Sequence, residues 1–95
     1  MVLGHSSCGA VKAAVAAKAT RSSVGSPALD TLVAPMLDAI DVEQDVATNV
    51  KSNALATAAQ LVSKSKIIRT AVTKGHVKVV AGYYDILSGE VEVLA

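Results

Sequence analysis

The chain has 95 residues and a net charge of +1, enough for one small domain or a piece of a larger one. A balance that near neutrality gives no general attraction to nucleic acid or to anionic membranes. Hydrophobic residues make up 52% of the chain, yet Trp and Phe are absent. The apolar content is mostly Ala and Val, which pack closely and bury little area each, so the composition predicts a broad surface held against a partner chain.

Met1 to Leu3 can form only the end of a strand. The compact turn Gly4–Gly9 follows, and an Ala-rich segment over 10–19 places Val11, Ala14, Val15 and Lys18 at helical spacing. After a polar linker, Ser26-Pro27 is a helix start with Ser as N-cap and Pro at the first helical position. Leu29, Leu32, Val33, Met36, Leu37 and Ile40 give that helix (27–39) an apolar stripe, and Pro35 should kink or divide it. Asp41, with Gln44 three residues on, has the pattern of a capping box opening a long helix over 42–63. Ser65 can cap a shorter helix over 66–74, and Gly75 is a fitting stop.

Beyond Gly75 the period becomes extended. Residues 77–84 read as a central strand, buried on both faces where Val79, Val80 and Ala81 run together. Ser88-Gly89 is a turn signal leading to residues 90–94, an antiparallel partner with one wet face. The stub at 1–3 should lie parallel beside the central strand. So few strands cannot cover four helices in the usual layered way, so the expected fold class is α/β, a partial domain (1–95) with a small mixed sheet flanked by helices.

Acids crowd the middle of the chain at Asp30, Asp38, Asp41, Glu43 and Asp45, whereas none occurs from Val46 to Tyr84. The lysines and arginine of that second stretch are too sparse, and too poor in aromatic neighbours, for a nucleic-acid face. No apolar run approaches the roughly 18 residues of a membrane span. The start has no charged region and no long apolar run of a signal peptide. A single cysteine excludes an internal disulfide and suits the cytoplasm or another reducing compartment.

One segment carries chemistry: Gly4-His5-Ser6-Ser7-Cys8-Gly9-Ala10-Val11. His5 and Cys8, between a strand end and a helix start, can converge on one zinc ion through nitrogen and sulfur. The N–H groups at the helix start favour negative charge, which suits a thiolate at Cys8. Ser6 and Ser7 could cap the helix, and Gly9 leaves its N–H open to a small anion. The spacing alone is equally compatible with an inert cysteine near a helix start.

The run Val2-Leu3-Gly4-His5-Ser6-Ser7-Cys8-Gly9-Ala10-Val11 resembles the second zinc motif of beta-class carbonic anhydrases, Gly-His-Ser/Thr-x-Cys-Gly-Ala after a strand. The similarity continues through Val46, Asn49 and Val50, through Ile67-Ile68-Arg69-Thr70-Ala71, and through Val77-Lys78-Val79-Val80-Ala81-Gly82-Tyr83-Tyr84-Asp85 to Leu87-Ser88-Gly89-Glu90-Val91. The resemblance implies that His5 and Cys8 are zinc ligands, that the Gly9 N–H contacts bicarbonate, and that the reaction is reversible hydration of carbon dioxide, with zinc activating water.

The family's upstream Cys-x-Asp-Ser-Arg motif has no counterpart here. It supplies a further thiolate, an Asp–Arg pair near the metal and the first strand of the sheet. The chain is therefore expected to be inactive alone, with an incomplete zinc ligand set. Its expected partners are another copy of itself, in at least a dimer, and a separate N-terminal piece carrying the missing motif. The alternative is a non-catalytic oligomerisation or assembly module derived from the same family. Neither nucleic acid nor membrane is expected as a partner.

Overall fold

The computed structural model describes residues 1–95, and the chain enters directly on a strand. β1 (Val2–His5) leads through a two-residue turn into α1 (Gly9–Thr20). Next come α2 (Pro27–Val33), a 3-10 helix (Ala34–Ala39), α3 (Val46–Lys64) and α4 (Lys66–Thr73), then β2 (Ala81–Tyr84) and β3 (Val91–Val93). The sheet order is β1-β2-β3, with β1 parallel and β3 antiparallel to β2. This is the expected mixed sheet flanked by helices, in an α/β arrangement. No helix is long and apolar enough to cross a membrane.

The helix starts follow local chemistry. Ser26 Oγ accepts from the Leu29 N–H with Pro27 opening α2, and Ser65 Oγ accepts from the Ile68 N–H to open α4. The division expected at Pro35 is where α2 gives way to the 3-10 helix. Gly75, at φ +75°, takes the left-handed conformation that ends α4 at little steric cost.

Three expectations need correction. The long helix begins at Val46, not at 42, and its cap is Asp45, whose carboxylate accepts from the Thr48 N–H at 2.8 Å. Asp41 heads a tight turn instead: its carboxylate accepts from the Glu43 N–H and its carbonyl from the Gln44 N–H. A buried side chain holds that turn. Asn49, only 1% exposed, accepts from the Asp41 N–H and donates to the carbonyls of Asp41, Gln44 and Asp45. This folds residues 41–45 back over the first turn of α3.

The central strand is shorter than 77–84, because a strand needs partners. β1 reaches back only to Val2, whose N–H donates to the Val80 carbonyl, so Val77 to Val79 have no ladder to join. Val77 and Lys78 are exposed, and full burial is confined to Ala81 and Gly82. The last strand is Val91–Val93, and both its faces are exposed rather than one.

Strand alternation explains that exposure. Val2 and Gly4, paired with Ala81 and Tyr83, face α3. A Cβ on Gly4 would lie 2.6 Å from Val50 Cγ1, so only glycine admits α3 this close to β1. Lys51 on α3 bridges to Glu92 of β3 at 3.0 Å and stands over the Tyr83 ring at 5.0 Å. Leu3, His5, Gly82, Tyr84, Val91 and Val93 occupy the opposite face, where Met1 lies against Gly82. Only α3 packs on the sheet, so no helix covers that second face.

The core lies between the helices and the covered face. Val11, Ala14, Val33, Ile40 and Val50 form one buried cluster, with Met36, Leu37 and Tyr83 packed against it. Lys18, spaced with the apolar face of α1, sends its ammonium to the carbonyls of Leu37 and Ile40 and closes the end of the 3-10 helix. Leu29 and Leu32, expected on the inner stripe, are exposed.

Two carboxylates give the fold an acid-sensitive edge. Hydrogen bonds from the Val24 N–H and then the Ser23 hydroxyl hold Asp30 below the usual carboxylate range, and bonds from Thr48 do the same for Asp45. A lowered folded pKa means that their contribution is fully present above the unfolded value of about 3.9 and fades as pH falls through the folded value. The urea midpoint should therefore be level above about pH 5 and fall below about pH 4. In the double variant Asp30→Asn, Asp45→Asn that decline should be shallower; an unchanged acid limb would refute the assignment.

Candidate functional site

The end of β1 and the start of α1 build the site. The strand continues to His5, two residues beyond the expected stub, because Gly4 and His5 still pair with Tyr83 and Tyr84. The Ser6 N–H donates to the Tyr84 carbonyl, and Ser6 Oγ accepts from the Ile86 N–H, both at 2.9 Å. Ser6 thus ties the turn to the far end of β2. Ser7 then takes a left-handed conformation at φ 56°, which reverses the chain into α1. Neither serine caps that helix. Cys8 occupies the N-cap position without a side-chain capping bond, so its sulfur is not engaged by the helix it precedes.

His5 and Cys8 line one cleft of about 230 Å³ between β1 and α3, together with Gly4, Val50, Asn53 and Thr57. The His5 side chain is exposed and its Nδ1 lies 2.9 Å from the Ser6 carbonyl oxygen. With Nδ1–H donating there, Nε2 is the ring nitrogen left to bind a ligand, the usual arrangement for a metal-binding histidine. Cys8 is half-buried against the core cluster. Gly9 is exposed at the first position of α1, and a Cβ there would meet nothing within 4 Å. Within this chain, therefore, nothing steric requires glycine at that position.

Nitrogen and sulfur donors are the types zinc takes, but structural and catalytic sites use at least three protein ligands. No group of three or more His, Cys, Asp or Glu side chains comes together anywhere in the chain. The donor set is thus right in kind and short in number. Asp85, the acid nearest in sequence to the end of β2, is engaged in its own turn, where its carboxylate accepts from the Leu87 N–H. His76 lies in the exposed segment after α4 and is not among the residues lining the cleft. The most spacious concavity, about 530 Å³, lies elsewhere, between α1 and the 3-10 helix. It is open to solvent, and its Lys18 ammonium already serves two backbone carbonyls.

The tether through Ser6 was not foreseen from the sequence, where Ser6 and Ser7 read as helix caps. Its partner, the Ile86 N–H, is 80 residues away, and no local pattern records such a bond.

No curated protein matches the chain. A family model described as carbonic anhydrase matches residues 1–91, nearly the whole chain, from β1 through β2 to the first residue of β3. By the extent of that match, the chain belongs to the carbonic anhydrase family.

Proposed function

We propose that His5 and Cys8 are two protein ligands of a zinc ion in a beta-class carbonic anhydrase site, and that a polypeptide segment outside residues 1–95 supplies the remaining thiolate and an Asp–Arg pair. The finished site interconverts carbon dioxide and bicarbonate, and these residues alone do not. The observation that carries this reading is the turn itself. In a chain of this family it presents an imidazole with its Nδ1 already tied and a thiol free of capping duty on one cleft.

His5 contributes a directional nitrogen whose ring is held by the Ser6 carbonyl. Cys8 contributes its sulfur from the N-cap position of α1, where no capping bond engages it. The open space around Gly9 leaves room for an anion to approach the same N–H groups, which makes Gly9 the bicarbonate contact. A thiolate ligand also suits a reducing compartment such as the cytoplasm. A second reading, a non-catalytic assembly module of the same family, draws on the uncovered sheet face.

Zinc affinity separates the two. Titration against a chromophoric chelator should find only weak binding to the chain alone. Tight binding at one zinc per chain should appear when a peptide bearing a Cys-x-Asp-Ser-Arg segment is added, and His5→Ala or Cys8→Ala should each abolish it. If the complemented wild-type chain takes up no zinc, the assembly reading stands instead.

A further inference from the structure

Ser6 stands between the two donors of the site, and each of its polar groups has a partner. Its N–H donates to the Tyr84 carbonyl, its carbonyl accepts from His5 Nδ1, and its Oγ accepts from the Ile86 N–H. The first and third of these bonds reach the end of β2 and the residue two beyond it. Ser6 is therefore pinned twice, through its backbone and through its side chain.

The side-chain partner is itself fixed. Between β2 and β3 the Asp85 and Gly89 N–H groups donate to the Glu90 and Asp85 carbonyls. Those of Leu87 and Glu90 donate to the Asp85 carboxylate and the Ser88 hydroxyl. The turn keeps its shape by its own bonds, and the Ile86 N–H is the group that it sends outside, to Ser6.

On the far side of the site the Cys8 carbonyl accepts from the Lys12 N–H, the first bond of α1. Between the residue fixed to the sheet and the residue fixed to the helix lies Ser7 alone, at φ 56°. A residue with a side chain keeps that left-handed conformation only where its surroundings impose it. The Ser6 backbone bond alone would leave the turn a pivot, and the hydroxyl bond removes it.

Resting on the reading of His5 and Cys8 as zinc ligands, we propose that Ser6 is a positioning residue for the metal. Its hydroxyl, held by the Ile86 N–H, fixes the turn before zinc arrives. The ring tied to the Ser6 carbonyl and the sulfur beyond Ser7 then keep one relative placement. Groups that orient metal ligands from behind typically change metal affinity by about 10–100-fold. Ser6 acts through its acceptor oxygen, so threonine can replace it and valine, of the same shape, cannot.

Two measurements on Ser6→Val and Ser6→Thr test this. In the metal-free wild-type chain, nitrogen relaxation should give Ser7 and Cys8 amide order parameters near the rigid value of about 0.85. They should drop toward about 0.6 in Ser6→Val and hold in Ser6→Thr, with the α3 amides unchanged in both. In the chain complemented with the Cys-x-Asp-Ser-Arg peptide, Ser6→Val should weaken zinc binding about tenfold or more, and Ser6→Thr by no more than about threefold. Unchanged order at Ser7 and Cys8 in Ser6→Val overturns the proposal, and so does a zinc affinity equal to wild type. A loss of order that spreads through α3 overturns it too, since the hydroxyl then supports the fold at large. Absence of zinc uptake by the complemented wild-type chain is a separate failure. It overturns the ligand reading and the role at zinc with it, and the metal-free order parameters tell the two apart. Should Ser6→Val not fold, Ser6→Ala, which removes the oxygen without adding bulk, takes its place.

Discussion

Supplied with zinc and mixed with carbon dioxide in a stopped-flow instrument, the 95-residue chain is expected to hydrate it no faster than the buffer does. Catalysis of this reaction needs a metal held by at least three protein ligands with one position open, and a group that orients the attacking water and passes on its proton. His5 and Cys8 are the only His, Cys, Asp or Glu residues that line the cleft, and the Asp85 carboxylate after β2 is bonded into its own turn. Addition of a segment with the missing cysteine and Asp–Arg pair should raise the rate by orders of magnitude, since a complete zinc site turns over at up to about 10⁶ s⁻¹. His5→Ala or Cys8→Ala should return it to background. Turnover by the chain alone, lost in either of those variants, would mean that two side chains from this segment suffice.

The second large effect concerns stability and centres on Asn49. Its side chain satisfies one N–H and three carbonyls of residues 41–45 from a site closed to water. Replacement by leucine keeps the volume close but takes the side-chain partner from the Asp41 N–H and the Gln44 carbonyl, while the Asp41 and Asp45 carbonyls keep the backbone N–H groups of Gln44 and Asn49; each group left unsatisfied costs about 1–3 kcal/mol. Asn49→Leu should therefore destabilise by about 2 kcal/mol or more, a fall in Tm of about 8–16 °C for a domain of this size. With only nine residues buried, a fold this thin has little to spare, and the variant is expected to be largely unfolded at 37 °C. Gln60→Ala, at an exposed position of the same helix, should stay within about 0.5 kcal/mol. Equal melting curves for Asn49→Leu and wild type would show that the 41–45 turn does not depend on this side chain.

The two effects mark different kinds of information in the chain. Ser26 before Pro27, Ser65 before α4, Gly75 after it and the change of period beyond Gly75 are local signals, and each produces its element by chemistry within a few residues. The same is true of the strand end and helix start that carry His5 and Cys8, three residues apart, and that bring both residues to the lining of one cleft. The start of α3 was less legible. Asp41 and Asp45 are both competent caps, and the choice fell to Asp45 because Asn49, once buried, needs the Asp41 backbone folded back within its reach.

The length of β2 and the double exposure of β3 depend on neighbours rather than on residue pattern. A strand extends only as far as its partner, and β1 stops at Val2. Val91 and Val93 alternate with Glu90 and Glu92 as a half-buried strand should, but α3, the one helix packed on the sheet, lies on the side that Glu92 faces. The residues alone determined the order and type of the elements and the absence of a second cysteine. Only the tertiary structure decided which sheet face is left bare and that Ser6 anchors the site, because each is settled by contacts between segments far apart in the chain.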